Sequence, residues 1–375
     1  MSLRGIRPGR TTKQSRYKTI LKNKSMITLP GLIDPHVHLR DPGQTHKEDF
    51  TTGTMAALAG GFTTILDMPN NEIPITTLDL LTSKEKIAKK KIVCDVGFYF
   101  GSLGDNLSEF KKVQDKIFGL KLYLNQTTGN FTINLDTLKK ICYAWPKTLP
   151  ILIHAEENIL EKAINITHIT NQRLHVCHVS SQTELEIIIK AKEKKYNITC
   201  GVTPHYLFLT KKNIESLGAY GKIKPAIKSQ NDVNFLWKNI DKIDLIESDH
   251  SPHTKKEKES SESPFGFTGL ETTLPLLLTA AHQEKLNLDD IKRLCHDKPA
   301  KIFGIQTDPQ TYIEIDEQEE LTIKNENLLT KCAWSPFNGW KVKGKVKKVF
   351  LHGTKVFEDG KILVKPGFGN ILKPV

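Results

Sequence analysis

Eight short apolar runs, separated by polar amphipathic segments, dominate the sequence and limit the folds that it can adopt. Short strands that alternate with helices are typical of parallel βαβ units, and eight such units predict a closed barrel. We therefore expect an α/β fold, a (β/α)8 TIM-like barrel. An open doubly wound sheet is the competing architecture, but no glycine-rich phosphate turn follows the first run. The predicted strands are residues 33–38, 63–68, 92–100, 119–124, 150–154, 174–178, 198–202 and 243–248, and the predicted helices include 50–59, 135–144, 157–169, 183–194, 271–283 and 288–295.

The last part of the chain follows a different pattern. Four segments alternate apolar with polar residues, and turn residues such as Gly353 and Asp359-Gly360 separate them. Alternation with a period of two predicts strands that bury one face. The segments are 312–315, 321–323, 342–351 and 355–357. We therefore divide the chain into a basic leader or linker (1–25), the barrel (26–305) and a small β-rich C-terminal subdomain that packs on the barrel (306–375).

Composition narrows the class of protein. The net charge of +12 invites a nucleic-acid interpretation, but the lysines are scattered over helical segments and no nucleic-acid motif is present. No apolar stretch approaches the roughly 18 residues that span a bilayer. The six cysteines have no close pairing, which predicts buried, reduced thiols in a cytoplasmic protein. Residues 1–25 contain no acidic residue, and a transit peptide, a linker or an added leader all fit this composition.

Metal-binding residue types recur where the predicted strands end. Barrels of this kind carry their chemistry at the carboxyl ends of the strands. Each residue alone has a simpler interpretation: a satisfied core histidine, a lysine that reaches the surface, or an aspartate that caps a turn. Their convergence at five strand ends is the strongest functional signal in the sequence. The residues are His36 and His38, Lys121, His154, His178, and Asp249.

This set suits two zinc ions, because imidazole nitrogen and carboxylate oxygen are ordinary zinc donors. Lys121 lies in a run too apolar for an exposed strand, and an unpaired ammonium in a barrel core is unfavourable. A neutral lysine amine can add carbon dioxide to form a carbamate, an anionic ligand with two oxygens. We therefore expect two Zn²⁺ per chain, bridged by N6-carboxylysine at position 121 and by a hydroxide. The chemistry expected of such a pair is attack on an amide-like carbon.

Several longer stretches carry a resemblance to a known family. They are 29–43 (LPGLIDPHVHLRDPG), 45–50 (THKEDF), 68–70 (MPN), 119–125 (GLKLYLN), 248–253 (SDHSPH), 269–271 (GLE) and 339–344 (GWKVKG). Together they resemble the amidohydrolase superfamily and, within it, the dihydroorotase domain of the animal multifunctional pyrimidine-biosynthesis polypeptide. The resemblance implies reversible, zinc-dependent cyclisation of N-carbamoyl-L-aspartate to L-dihydroorotate in pyrimidine biosynthesis. It also implies a homodimer with a small-molecule substrate.

The resemblance also implies a role for each matching residue. One zinc would be held by His36, His38, Lys121 and Asp249, and the carbamate of Lys121 would bridge to a second zinc held by His154 and His178. Asp249 would also carry the proton between the bridging water and the ring nitrogen. Residues 125–131 match a mobile flap with Thr127 at its tip. The residues that bind the substrate carboxylate in the family correspond to Arg40, Asn70 and His253.

Three positions depart from the family pattern. Gly201 stands where the animal domains carry a glutamate that, with Cys177, is implicated in an additional metal site, so we do not expect that site here. Lys224 stands where an arginine is expected, which keeps the charge but loses the bidentate geometry. Thr128 replaces an aromatic residue of the flap. None of the three removes a ligand of the two main metals.

Other functions remain open on the sequence alone. A dihydropyrimidinase, hydantoinase or allantoinase would use the same metals, although Arg40 and Asn70 favour a charged ring over a neutral one. An inactive dihydroorotase-like domain that serves as a structural spacer would be expected to lose ligands. A stand-alone enzyme also fits the sequence, as does part of a larger polypeptide with carbamoyl-phosphate synthetase and aspartate transcarbamoylase. We expect neither nucleic acid nor a membrane as a partner.

Overall fold

The computed structural model describes residues 26–127 and 131–375. The basic segment 1–25 and Thr128 therefore lie outside the described residues. None of the helices in the described ranges is both long enough and apolar enough to cross a membrane.

Nine of the strands form the barrel predicted from the sequence. The strands of the described residues are β1 Met26–Pro30, β2 Leu32–Val37, β3 Phe62–Asp67, β4 Asp95–Phe98, β5 Phe100–Gly101, β6 Leu120–Tyr123, β7 Ile151–His154, β8 Leu174–Val176, β9 Ile198–Val202, β10 Leu245–Ile246, β11 Tyr312–Thr322, β12 Lys341–Leu351, β13 Thr354–Glu358 and β14 Lys361–Ile362. Parallel pairing runs in the order β2-β3-β4 in one sheet and β5-β6-β7-β8-β9-β10 in the other. A parallel bridge between Val37 and His250 closes the ring, and the backbone N–H of His38 donates to the carbonyl of His250 over 2.8 Å.

One predicted strand, 92–100, is divided in the structure. The backbone N–H of Tyr99 donates to the carbonyl of Asp67 on β3, whereas the N–H of Phe100 donates to the carbonyl of Gly119 beside β6. The chain therefore changes its pairing partner at Tyr99, and this single residue joins the two parallel sheets. The eight predicted strand positions are otherwise occupied by strands.

Helices cover the outside of the barrel. Three of the predicted helices agree with the structure to the residue, and 183–194 and 271–283 are each shifted by one position. Predicted helix 288–295 is shorter, because the chain passes from helix Leu288–Lys292 into a π-helical turn, Arg293–Asp297, before helix Lys298–Phe303. The helices are α1 Phe50–Ala59, α2 Leu78–Ala88, α3 Phe110–Val113, α4 Leu135–Ala144, α5 Glu157–Ile169, α6 Gln182–Glu193, α7 Pro204–Phe208, α8 Lys211–Leu217, α9 Gln230–Lys238, α10 Lys255–Lys258, α11 Leu270–His282, α12 Leu288–Lys292 and α13 Lys298–Phe303.

The C-terminal strands form a second, antiparallel sheet in the order β1-β11-β12-β13-β14. Residues 26–30, which the sequence places with the barrel, pair with β11 along their whole length, from Met26 opposite Asp316 to Pro30 opposite Tyr312. Predicted strands 312–315 and 321–323 are one continuous strand, whose register shifts between Asp316 and Glu320. The division into domains at residue 305 stays a prediction.

The barrel is apolar inside at one end and polar at the other. Ile65 packs in the large cluster between strands and helices, whereas its neighbour Leu66 belongs to a smaller cluster. Because side chains alternate along a strand, this smaller cluster lies inside the barrel. It includes Tyr99, Leu152, Leu245 and Phe303. All six cysteines, which lie in the described ranges, are buried and free, as the sequence predicts.

Candidate metal and substrate site

The two histidines at the end of β2 lie beside one carboxylate. His36 Nε2 lies 3.3 Å and His38 Nε2 lies 3.1 Å from Oδ1 of Asp249. The other ring nitrogen of each histidine faces an acceptor, because His36 Nδ1 lies 3.1 Å from Glu247 Oε2 and His38 Nδ1 lies 2.7 Å from Asn70 Oδ1. Oxygen acceptors require a donor, so each Nδ1 carries the proton. The two Nε2 lone pairs therefore point at a carboxylate oxygen.

This convergence of lone pairs suits a bound cation. Burial lowers the pKa of His38 to about 3, so its imidazole is neutral. Burial alone would raise the pKa of Asp249, but the neighbouring His36, His38 and His178 hold it well below its usual range. Neutral imidazoles and an ionised carboxylate are the protonation states that zinc requires of its ligands. Their ligand atoms all lie within 4.8 Å of one another.

The other histidine pair lies beside the first. His154 Nδ1 and His178 Nε2 are 3.1 Å apart, and the rings of His36 and His178 have centroids 5.2 Å apart. Burial is the main cause that lowers the pKa of both His154 and His178. Two nitrogens bound tetrahedrally to one zinc at roughly 2.0–2.1 Å lie about 3.3 Å apart. The spacing of this second pair therefore also fits a metal ligand set.

Lys121 lies on β6 and is fully buried. Its Nζ lies 3.1 Å from Cys177 Sγ and 5.0 Å from the centre of the Tyr123 ring. No carboxylate in the described ranges forms an ion pair with this amine. A buried ammonium that faces only a thiol and a ring face is poorly compensated. Conversion to a carbamate would remove the unfavourable buried ammonium. It would also add two oxygen atoms that can bind metal beside the imidazole nitrogens.

Arg40 presents a cation to the same cavity. Its Nε donates to the carbonyl of Pro252 over 3.2 Å, and its Nη2 lies 3.1 Å from His253 Nε2. His253 is fully buried and does not line the cavity, so it stands behind the guanidinium rather than in front of it. Asn70 both lines the cavity and holds His38. The Pro252 carbonyl thus holds Arg40 from behind, and the Arg40 side chain lines the cavity beside Asn70.

The cavity joins the two histidine pairs to the cationic residues. It is open to solvent, and the empty space within it, including solvent at its mouth, is about 430 Å³. Lys224 contributes a second cation, and its Nζ lies 5.7 Å from the centre of the Phe265 ring. Thr127, the described part of the predicted flap tip, also lines the cavity. The lining residues are His36, His38, Arg40, Asn70, Tyr123, Thr127, His154, His178, Ile223, Lys224, Asp249, Ser251, Phe265 and Gly266.

Three of these residues have left-handed backbone conformations. The φ angles are 63° at Arg40, 38° at His178 and 46° at Asp249. Such angles are unfavourable for residues other than glycine, and they persist where the surrounding structure enforces them. All three residues lie two or three positions after the end of a barrel strand, and all three line the cavity.

Sequence reasoning missed one buried residue of the site, Glu247. Its Oε2 accepts from His36 Nδ1, and its Oε1 accepts from the backbone N–H of His178. With His36 and Cys177 it forms a second group whose ligand atoms are close enough to hold a metal. The available signal was an ionisable residue directly after the apolar run 243–246, where a strand end faces the barrel mouth.

The chain belongs to the amidohydrolase family, whose model matches residues 27–356. It is 35% identical to a dihydroorotase of Pyrococcus abyssi over 98% of this chain and 94% of that protein. It is 41% identical to the multifunctional protein CAD of Squalus acanthias over 93% of this chain, but the match spans only 16% of that longer protein. These similarities confirm the resemblance read from the sequence.

Among solved structures, the chain is similar to an L-hydantoinase (dihydropyrimidinase) from Arthrobacter aurescens. The TM-score is 0.88 at 26% identity, and the match covers 92% of this chain and 89% of that one. This agreement confirms the predicted α/β barrel with an antiparallel β appendage.

Proposed function

We propose that this chain is a dihydroorotase that interconverts L-dihydroorotate and N-carbamoyl-L-aspartate. The observation that carries the proposal is the fixed guanidinium of Arg40 beside Asn70 and Asp249 in one cavity. Dihydroorotate has a ring amide to be cleaved and a carboxylate to be bound, and this cavity offers a partner for each. Identity of 35% to a dihydroorotase of similar length supports the same activity.

The resident metals are part of this proposal. His36, His38 and Asp249 would hold one zinc, His154 and His178 a second, and carboxylated Lys121 together with a hydroxide would bridge them. When bound, the pair would polarise the ring carbonyl and lower the pKa of the attacking water. The lone pairs that converge on Asp249 and the buried amine of Lys121 support this assignment.

The protein's own residues orient the substrate and move the proton. Arg40 and Lys224 attract the substrate carboxylate, and Asn70 donates to it from its amide nitrogen, since its amide oxygen already accepts from His38. In hydrolysis, water adds to the ring carbonyl carbon and the bond from that carbon to the ring nitrogen breaks. Asp249 takes the proton of the water and delivers it to the departing nitrogen. His253 contributes indirectly, because its ring packs behind Arg40.

Further parts of the proposal concern the surroundings of the site. Thr127, which lines the cavity, would contact the substrate; residues 128–130 of the predicted flap lie outside the described residues. We also propose a cytoplasmic homodimer, either free or as part of a larger pyrimidine-biosynthesis polypeptide. The similarity to a short segment of the multifunctional protein CAD and to a dihydroorotase of similar length supports both arrangements.

A substrate panel tests the activity. Zinc-loaded protein is assayed with L-dihydroorotate, dihydrouracil and hydantoin, the latter two being cyclic amides without a carboxylate. We expect hydrolysis of L-dihydroorotate to have the highest kcat/KM, because only this ring pairs with Arg40. Preference for a neutral ring would instead support the cyclic-amidase function of the Arthrobacter relative. Absence of turnover with all three, in protein that binds zinc, would favour an inactive domain.

A further inference from the structure

We propose that Glu247 is a positioning residue for the metal site. It orients one histidine of each candidate ligand pair, His36 of the pair His36–His38 and His178 of the pair His154–His178. It is supplied by the segment after β10, whereas His36 lies near the end of β2 and His178 follows β8. The inference deepens the proposed function, on which it rests only for its activity measurement. Nothing in the family resemblance assigns a role to this position.

The contact with His36 fixes one ring. Glu247 Oε2 can only accept, so the 3.1 Å contact requires a proton on His36 Nδ1. That tautomer leaves the lone pair on Nε2, the atom 3.3 Å from Asp249. A carboxylate behind a metal-binding imidazole fixes both its tautomer and its orientation and makes it a stronger donor. Asn70 does the same for His38, but through a neutral amide.

The contact with His178 fixes a backbone. Glu247 Oε1 accepts from the N–H of His178, whose φ is 38°. A charge-assisted hydrogen bond is strong enough to offset part of the free energy that a left-handed residue costs. One carboxylate therefore links a ligand of the first histidine group to a ligand of the second.

Gly201 provides the space for this carboxylate. A Cβ at position 201 would lie 2.5 Å from Glu247 Oε1 and 2.8 Å from its carboxyl carbon. These distances are too short for non-bonded atoms, so any side chain at 201 would displace the carboxylate. Glycine at 201 and glutamate at 247 thus belong together, which gives the departure at Gly201 a structural reason.

A direct role as a metal ligand is the alternative for Glu247, together with His36 and Cys177. The protonation of His36 argues against it. A neutral imidazole has a single lone pair, and in His36 this lies on Nε2, the atom that faces Asp249. Binding of a second metal at Nδ1 would require an imidazolate and would displace the contact with Glu247. The geometry is that of a carboxylate supporting ligands.

Zinc affinity tests the proposal without reference to substrate. Apoprotein is titrated with zinc against a chromophoric chelator for wild type, Glu247→Gln and Gly201→Ala, and elemental analysis counts the bound zinc. Glutamine at 247 replaces one acceptor with an NH2 group, which would face either a ring N–H or a backbone N–H. Alanine at 201 keeps the carboxylate but displaces it. We expect affinity to fall by about 10- to 100-fold in both variants, with two zincs per saturated chain throughout.

Glu184→Gln is the matched control. Glu184 is equally buried, and its Oε2 accepts from the N–H and hydroxyl of Ser180, while its Oε1 has no hydrogen-bond partner among the described residues. In Glu184→Gln the amide oxygen can accept from Ser180, and the NH2 group can take the place of Oε1 without facing another donor. Zinc affinity should therefore be unchanged. With zinc saturating, Glu247→Gln should lower kcat and leave KM unchanged, because Glu247 does not line the cavity.

Two results would overturn the proposal. One is zinc affinity unchanged from wild type in both Glu247→Gln and Gly201→Ala. The other is a third zinc in wild type that Glu247→Gln loses, since Glu247 would then be a ligand. If Glu247→Gln does not fold, Gly201→Ala decides between the same outcomes. Wild-type protein that binds zinc but does not hydrolyse L-dihydroorotate would contradict the proposed function. The role of Glu247 would then be decided by the zinc titration alone.

Discussion

The mouth of the barrel and the C-terminal sheet both carry many charges, but they place them in opposite environments. At the mouth, Arg40, Glu247 and Asp249 are all buried. On the sheet, Lys345 and Lys348 pair with Glu319 and Glu314 over 3.0 Å, with every partner partly open to solvent. The sheet resembles an ordinary solvated surface, whereas the mouth concentrates charge where water is excluded.

The two environments imply different reasons for the charges. Exposed ion pairs contribute roughly 0–1 kcal/mol and are readily exchanged. Burial of a charge is unfavourable unless partners compensate for it, and a buried pair is weak evidence for stability. The charges of the mouth therefore need another explanation, and binding of cations and of an anionic substrate supplies one. Substitutions in the two regions should accordingly differ in both size and kind.

The largest effect is expected at Asp249. Asp249→Asn keeps the shape but removes the charge that faces both His36 and His38 and the group that accepts the proton. We expect kcat for L-dihydroorotate to fall by about 10³-fold or more. The control on the sheet is Asp359→Asn, which removes an ion pair with Lys347 and should leave kcat unchanged. Equal losses of kcat in the two variants would contradict a functional difference between the barrel mouth and the C-terminal sheet.

A buried ion pair at the carboxyl end of β3 should have the largest effect on stability. Lys84 Nζ lies 2.7 Å from Asp67 Oδ2, and both side chains are buried. Lys84→Met would leave Asp67 as an uncompensated buried charge, which should lower the free energy of unfolding by about 3–5 kcal/mol. The matched change on the sheet, Lys345→Met, should alter it by about 1 kcal/mol or less. Denaturant titration of both variants measures the difference, and comparable losses would contradict it.

Arg40 should govern substrate choice more than stability. Arg40→Lys keeps a charge but loses the contacts to Pro252 and His253 that fix it. We expect kcat/KM for L-dihydroorotate to fall by about 10- to 100-fold, the range for one hydrogen bond to a charged group. Any turnover of the neutral ring dihydrouracil should be unaffected. A parallel loss on both rings would show that Arg40 supports the fold rather than the carboxylate.

The smallest effect is a pH dependence at the barrel's other end. A hydrogen bond to Asp95 is the main cause that raises the pKa of His352 to about 9. Because this folded pKa exceeds that of the unfolded chain, the stabilisation is complete below about pH 6.5 and disappears as pH rises through about 9. His352→Gln should remove this part of the pH dependence of the melting temperature. Since His352 is partly exposed, the difference should stay below about 1 kcal/mol. An unchanged pH profile in the variant would contradict this assignment.

Local pattern in the sequence predicted the barrel well. The strands are short and apolar and their helices amphipathic, so periodicity alone places 50–59, 135–144 and 157–169 correctly. The metal-site residues could be listed because their types stand at strand ends. The pairing of β1 with β11 joins segments almost 300 residues apart, and local pattern carries no information about such a contact.

The backbone conformations of the site, and the residues that hold its side chains in place, could not be predicted from local sequence pattern. The left-handed backbone of Arg40, His178 and Asp249 follows from the surrounding structure rather than from residue preference. Gly201 was noticed only as a departure from a family pattern. Its relation to Glu247 became visible once two neighbouring strands were placed side by side. His253 was assigned to the substrate, whereas the structure places it behind Arg40; its direct contact with substrate stays a prediction.

The central claim is that the barrel mouth holds a pair of metal ions bridged by a modified lysine. Anomalous diffraction at the zinc edge, from crystals grown with zinc and bicarbonate, tests it most directly. We expect two anomalous peaks, one beside His36 and His38 and one beside His154 and His178, with carboxylate density on Lys121 Nζ between them. A bare amine at Lys121 with no ion beside His36 and His38 would contradict it.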